Sequence, residues 1–135
     1  MVKLIMGLKG SGKTKTLVEL VKQAVEVESG NVVCIEKNKA LTYDIPYTVR
    51  LINGGDYAIN SFELMKGFLC GLHAGNYDIT HIFIDNFFKM VEDDNEKVAA
   101  FLAWLDEFST RENVSFTISA TKDPATVPDS IKKFF

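Results

Sequence analysis

Eight residues near the amino terminus, Gly7-Leu8-Lys9-Gly10-Ser11-Gly12-Lys13-Thr14, restrict what this chain can fold into more than any other stretch. They match the spacing G-x-x-x-x-G-K-[ST], with an apolar run at 2–6 before them and a segment of helical periodicity after them. Strand before and helix after is the context in which that spacing makes a phosphate cradle. Gly7, Gly10 and Gly12 let successive backbone N–H groups turn inward around an anion. Lys13 is placed to reach the outer phosphates, the Thr14 hydroxyl to ligate Mg²⁺, and Ser11 and Lys15 to flank the bound group. The positive end of the following helix then faces the anion. Two glycines, a lysine and a Ser/Thr at these offsets arise by accident in roughly one chain in two hundred of this length at average residue usage. The strand-loop-helix setting makes chance a still poorer explanation.

The rest of the chain supplies the elements such a loop needs. Leu17, Leu20, Val21, Ala24 and Val25 recur at helical spacing up to about Glu28, and Ser29-Gly30 stops the helix. Asn31-Val32-Val33-Cys34-Ile35-Glu36 reads as a strand buried on both faces, and strand-helix-strand calls for a parallel, right-handed crossover. The connection Lys37-Asn38-Lys39-Ala40-Leu41 is polar, and residues 47–52 alternate as a third strand. Ser61 is a cap for a helix carrying Met65, Phe68, Leu69 and Leu72 on one face, ended by Gly75-Asn76. His73 near that helix end reads as a group meeting the helix terminus or solvent.

Thr80-His81-Ile82-Phe83-Ile84-Asp85 is a hydrophobic strand that delivers a carboxylate at its end, where a metal beside bound phosphates needs one. His81 falls at the far end of the same strand and is given no catalytic role. Phe87, Phe88, Met90 and Val91 follow, and two readings are open: an apolar surface for a partner, or residues folding back as core. Glu92-Asp93-Asp94 reads as a solvated turn that caps the next helix, whose stripe is Val98, Phe101, Leu102, Leu105 and Phe108. Residues 114–119 alternate as a fifth strand with a polar end, and the segment 129–135 after Pro128 has room for one more helical turn.

Composition limits the alternatives. At 135 residues, 47% hydrophobic and 24% charged, the chain reads as a single domain, residues 1–135. A net charge of −3 without a lysine run carries no nucleic-acid signature. No apolar stretch approaches the roughly eighteen residues needed to span a bilayer. Cys34 and Cys70, without C-x-x-C spacing, suit reduced residues of a cytoplasmic protein.

The loop and the strand ending in Asp85 together resemble the P-loop NTPase superfamily over nearly the whole chain, with 7–14 as Walker A and Asp85 as Walker B. The resemblance implies an α/β three-layer sandwich with a mainly parallel, five-stranded sheet and ligands at the carboxyl ends of the strands. It implies ATP with Mg²⁺ as ligands, Thr14 and Asp85 on the metal, and Lys13 and Asp85 as the groups acting on the phosphates. The polar end of the last strand, Ser119 and Thr121, looks like the additional-strand division, which includes RecA-like ATPases and thymidine kinases. In that division the last strand lies between the two Walker strands and its polar end senses the terminal phosphate. Short bacterial proteins labelled PilT-like are similar in the two Walker stretches, but the Asp- and His-rich boxes of pilus motors are not evident here.

Other branches fit less well. Asp85-Asn86-Phe87-Phe88 is not the D-x-x-G of a Ras-like GTPase, and Thr121-Lys122-Asp123 lacks the guanine-reading N-K-x-D spacing. Two cysteines cannot make a zinc lasso, and the only arginines are Arg50 and Arg111. Where many hydrolases of this type put a base after the Walker B Asp, this chain has Asn86, which cannot take a proton at neutral pH. Glu36 is a substitute candidate, against the plainer reading of an exposed strand-end carboxylate. The expectation is a slow ATPase completed by a partner subunit or a second copy, or else a module that binds nucleotide without hydrolysing it.

Overall fold

A computed structural model describes residues 1–38 and 40–135. Lys39, in the polar connection noted above, lies outside the described residues. The chain runs β1 (Val2–Gly7), α1 (Lys13–Val27), β2 (Asn31–Glu36), β3 (Arg50–Asn53), α2 (Phe62–Gly75), β4 (Ile79–Ile84), α3 (Asn95–Glu112), β5 (Ser115–Thr121) and α4 (Asp129–Lys132). Short 3-10 turns occupy Gly54–Tyr57, Phe87–Lys89 and Pro124–Thr126.

The sheet has five strands in the order β1-β5-β4-β2-β3, and every pairing is parallel. Strand β5 therefore lies between the strand that leads into the glycine loop and the strand that leads to Asp85, as the additional-strand resemblance implies. Two apolar clusters, one on each face, make three layers. Leu17, Val21 and Ala24 of α1 pack on Val32, Cys34 and Phe83, and Leu41, Ile45 and Val49 complete that side. Val33, Ile35, Ile82, Ile84, Phe116 and Ile118 face the other way, against Met65 and Leu69 of α2 and the stripe Val98, Phe101, Leu102, Leu105 and Phe108 of α3. Odd and even strand positions divide between the faces because strand side chains alternate.

Local signals end the elements where expected. Ser61 caps α2 by accepting from the Leu64 N–H at 3.1 Å, and Asp94 caps α3 by accepting from Lys97 N–H at 3.1 Å. Asn113 closes α3 in the left-handed region at φ 54°, a conformation Asn tolerates better than most residues. The third strand is shorter than its alternation suggests. It starts at Arg50, because Val49 N–H bonds to Pro46 O at 3.0 Å and turns residues 47–49 out of the ladder.

Two histidines hold the sheet and its helices together away from the strands' carboxyl ends. His81 places Nδ1 2.8 Å from Glu28 Oε2 and Nε2 2.8 Å from Thr117 Oγ1, and stacks on Phe83. Burial pushes its pKa below the usual 6.5, with the Glu28 carboxylate pulling the other way. His73 is buried and sits 3.1 Å from Glu112 Oε2, joining the end of α2 to the end of α3. The Glu112 carboxyl is held below its ordinary range by Arg111 first and His73 second. Cys34 and Cys70 are both free, the first buried and the second exposed. Burial, reinforced by Asp85 and Glu36, pushes the Cys34 thiol far up, which keeps it inert. No helix among the described residues is long and apolar enough to cross a membrane.

Candidate phosphate-binding site

Strand β1 ends at Gly7, and the loop that follows turns through Gly10 at φ 84° and Gly12 at φ 83° before α1 begins at Lys13. Both glycines hold the left-handed conformation, which a side chain would strain. At Gly7 the space is tight: a Cβ there would lie 2.5 Å from Ser11 Oγ, so that hydroxyl would have to turn away. Helix α1 differs from α2 and α3 at its start, having neither a capping side chain nor an acidic residue in its first turn. Its leading N–H groups are left for whatever occupies the loop.

Lys13 is buried at 8% exposure, and its ammonium donates to Leu8 O at 2.9 Å and Ser11 Oγ at 3.4 Å, folding across its own loop. Thr14 Oγ1 lies 3.3 Å from Asp85 Oδ1 and 3.5 Å from Oδ2, so residues 71 positions apart meet at the same end of the sheet. Asp85 is 3% exposed, its N–H extends the ladder to Ile35 O at 2.9 Å, and its carboxylate is held from two sides. Ser119 Oγ donates to Oδ1 at 2.6 Å, and Asn86 Nδ2 donates to Oδ2 at 3.1 Å.

Beside this pair opens a cavity of about 680 Å³, the size of small-ligand sites generally. Gly10, Gly12, Lys13, Thr14 and Lys15 of the sequence-derived set line it, whereas Gly7, Ser11 and the buried Asp85 are not part of its lining. Among the described lining residues four are lysines (Lys9, Lys13, Lys15 and Lys89) and none is a carboxylate. Such a wall suits a multiply charged anion.

Three expectations change here. Ser119 is wholly buried and committed to Asp85 and to the Asn86 N–H, which it accepts at 2.9 Å, so of the polar end of β5 only Thr121 reaches the cavity. Glu36 is not an exposed strand-end group. It is 4% exposed, and its two oxygens accept Ala40 N–H at 2.8 Å and Leu41 N–H at 3.1 Å. Burial raises its pKa, against those two N–H bonds and with Asp85 adding to the rise. The apolar cluster after Asp85 is core rather than surface at three of its four positions: Phe87, Met90 and Val91 are 1%, 2% and 5% exposed. Phe88 alone borders the cavity, next to Lys89, a residue whose bearing on the site the sequence reading missed by seeking arginines.

No protein-family model matches the chain, and no curated protein matches it either. Among solved structures, the flagellar accessory protein FlaH from Methanocaldococcus jannaschii is similar, with a TM-score of 0.55 and 13% sequence identity. The likeness covers 98% of this chain and 65% of that one, so this chain spans a little under two thirds of the neighbour's length. The likeness and the strand order together give the chain a RecA-like α/β fold.

Proposed function

We propose that the cavity binds the phosphates of a nucleoside triphosphate, ATP in the first instance, together with Mg²⁺. The observation that carries this reading is the uncapped start of α1, opening on a cavity with four lysines and no carboxylate among its described lining. The backbone N–H groups around Gly10 and Gly12 would hold the inner phosphates, and Lys13 would leave the Leu8 carbonyl for them. Thr14 and Asp85 fit a magnesium ion, which takes one or two protein oxygens and keeps phosphate and water for the rest. Among the described residues no cluster of three or more His, Cys, Asp and Glu forms a cage, which suits a metal that arrives with the nucleotide. When bound, the ion would draw charge from the phosphate oxygens, and Ser119 and Asn86 would hold the Asp85 carboxylate for it.

Hydrolysis in this reading is slow. Asn86 borders the cavity but has no basic group, and both oxygens of Glu36 already accept backbone N–H bonds. Those same bonds favour the second reading, a module that retains nucleotide without turning it over. A partner protein or a second copy belongs to the proposal only through Phe88 and the exposed rim, since Phe87, Met90 and Val91 are core. The test is calorimetric titration with Mg-ATP and Mg-GTP, alongside phosphate release. Saturable binding with slow release supports the ATPase, binding with no release supports the module, and absence of saturable binding removes both.

A further inference from the structure

We propose that Lys89 is a cation built into this chain for the terminal phosphate, in the role a partner's arginine fills in other phosphoryl-transfer sites. The proposal rests on the reading of the cavity as a triphosphate site.

The segment after Asp85 is a ledge whose inner side is anchored and whose outer side carries Phe88 and Lys89. Asn86 adopts φ 52°, and the 3-10 turn that follows is closed by Lys89 N–H to Asn86 O at 2.9 Å and Met90 N–H to Phe87 O at 3.0 Å. Phe87 packs 5.4 Å from the Phe101 ring and 6.1 Å from Phe62, and Met90 and Val91 join the same cluster. With Phe87 and Met90 both pointing into core, the two residues between them are turned to the cavity, where Phe88 and Lys89 are found.

Both ends of the ledge are tied to β5 or its immediate continuation. Asn86 N–H bonds to Ser119 Oγ at 2.9 Å, and Lys122 Nζ reaches Asp93 Oδ1 at 2.6 Å and Asn95 Oδ1 at 2.8 Å. Lys122 also stands 5.9 Å from the centre of the Phe88 ring. A ledge held this way loses little backbone freedom when a ligand arrives, so the stem of Lys89 starts from a fixed point on the cavity wall.

The ammonium of Lys89 makes no ion pair among the described residues, although the chain has more acidic than basic groups. The other three cavity lysines come from the glycine loop and the first turn of α1, so that Lys13 would approach the outer phosphates from the loop side and Lys89 from the opposite wall. Lys89 comes from the wall that continues Asp85 and Asn86, and a metal held by Thr14 and Asp85 would bring the last phosphate toward that wall. Four cations with no carboxylate between them repel one another until an anion enters. A triphosphate brings one more phosphate to that wall than a diphosphate, and Lys89 reads the difference.

The test compares Lys89→Ala, Lys89→Arg and a control, Lys22→Ala on the exposed side of α1, by titration with Mg²⁺ and non-hydrolysable ATP and GTP analogues, and with Mg-ADP and Mg-GDP. Lys89→Ala is expected to weaken triphosphate binding about tenfold, the size of one solvent-accessible charge-assisted contact, while diphosphate binding stays within about twofold. Lys89→Arg should keep the preference, and Lys22→Ala should match the wild type. Equal loss for both ligand classes, or no loss for either, overturns the role of Lys89 while leaving the nucleotide site standing. A wild type that binds none of the four ligands overturns the site itself, and this inference with it.

Discussion

Ser119 and Asp85, on neighbouring positions of β5 and the end of β4, share a 2.6 Å hydrogen bond inside the protein, and the same hydroxyl accepts the Asn86 N–H at 2.9 Å. One buried side chain thus fixes both the direction of the carboxylate and the start of the ledge that carries Lys89. Ser119→Ala would leave that N–H without its partner and Asp85 Oδ1 with only the longer 3.3 Å contact to Thr14 Oγ1. The expected loss is about 1–3 kcal/mol of stability, read by urea unfolding, together with weaker Mg-nucleotide binding. Unchanged values of both would show that Asp85 is held well enough by Asn86 and Thr14.

Lys13→Ala should lower triphosphate affinity by about ten- to a hundredfold, the range for a partly buried charge-assisted contact. Its ammonium supports only a loop carbonyl and a hydroxyl in the absence of ligand. The unfolding midpoint should therefore move little, and a large shift with equal affinity would contradict the assignment.

Phe87 and Phe88 are adjacent but should respond differently. Phe87→Ala opens a cavity in the cluster around Phe62 and Phe101 and is expected to cost about 3–5 kcal/mol, whereas Phe88→Ala, half-buried at the cavity mouth, should cost about 1 kcal/mol. Denaturant midpoints of the two variants decide it. Similar losses would mean the ledge is not anchored as described.

His81 makes stability depend on pH in a stated direction. Its folded pKa lies below 6.5, so as pH falls through 6.5 the unfolded chain takes up a proton before the folded one does. The stability present above pH 6.5 is lost as pH drops toward the folded value. Melting followed from pH 7.5 down to 5 should show a decline that is shallower in His81→Gln. A variant with the same slope as the wild type would assign the decline to other groups.

The chain's local signals were sufficient for the glycine loop, for α1 and for the strand ending in Asp85, because each rests on neighbours in sequence. Glycine spacing, 3.6-residue periodicity and a run of β-branched and aromatic residues are all properties of short windows. The caps Ser61 and Asp94 belong to the same class, since a cap bonds an N–H three residues on. The position of β5 between β1 and β4 was available only through family resemblance, as no periodicity reports which strands are neighbours.

What the tertiary structure decided is the fate of polar and apolar groups whose partners are distant. Alternation along residues 114–119 is the pattern of a strand with one wet face, yet Thr117 and Ser119 are 2% and 0% exposed, because His81 on β4 and Asp85 directly after it supply their hydrogen bonds beneath α1. Glu36 looked like a strand-end carboxylate in water and is instead buried on two N–H groups of its own connection. Phe87, Met90 and Val91 could equally have been surface or core until α2 and α3 were seen to cover them. A short window records which side chains can be buried; which of them are buried, and which lysine is left facing a cavity, depends on contacts between residues far apart in the chain.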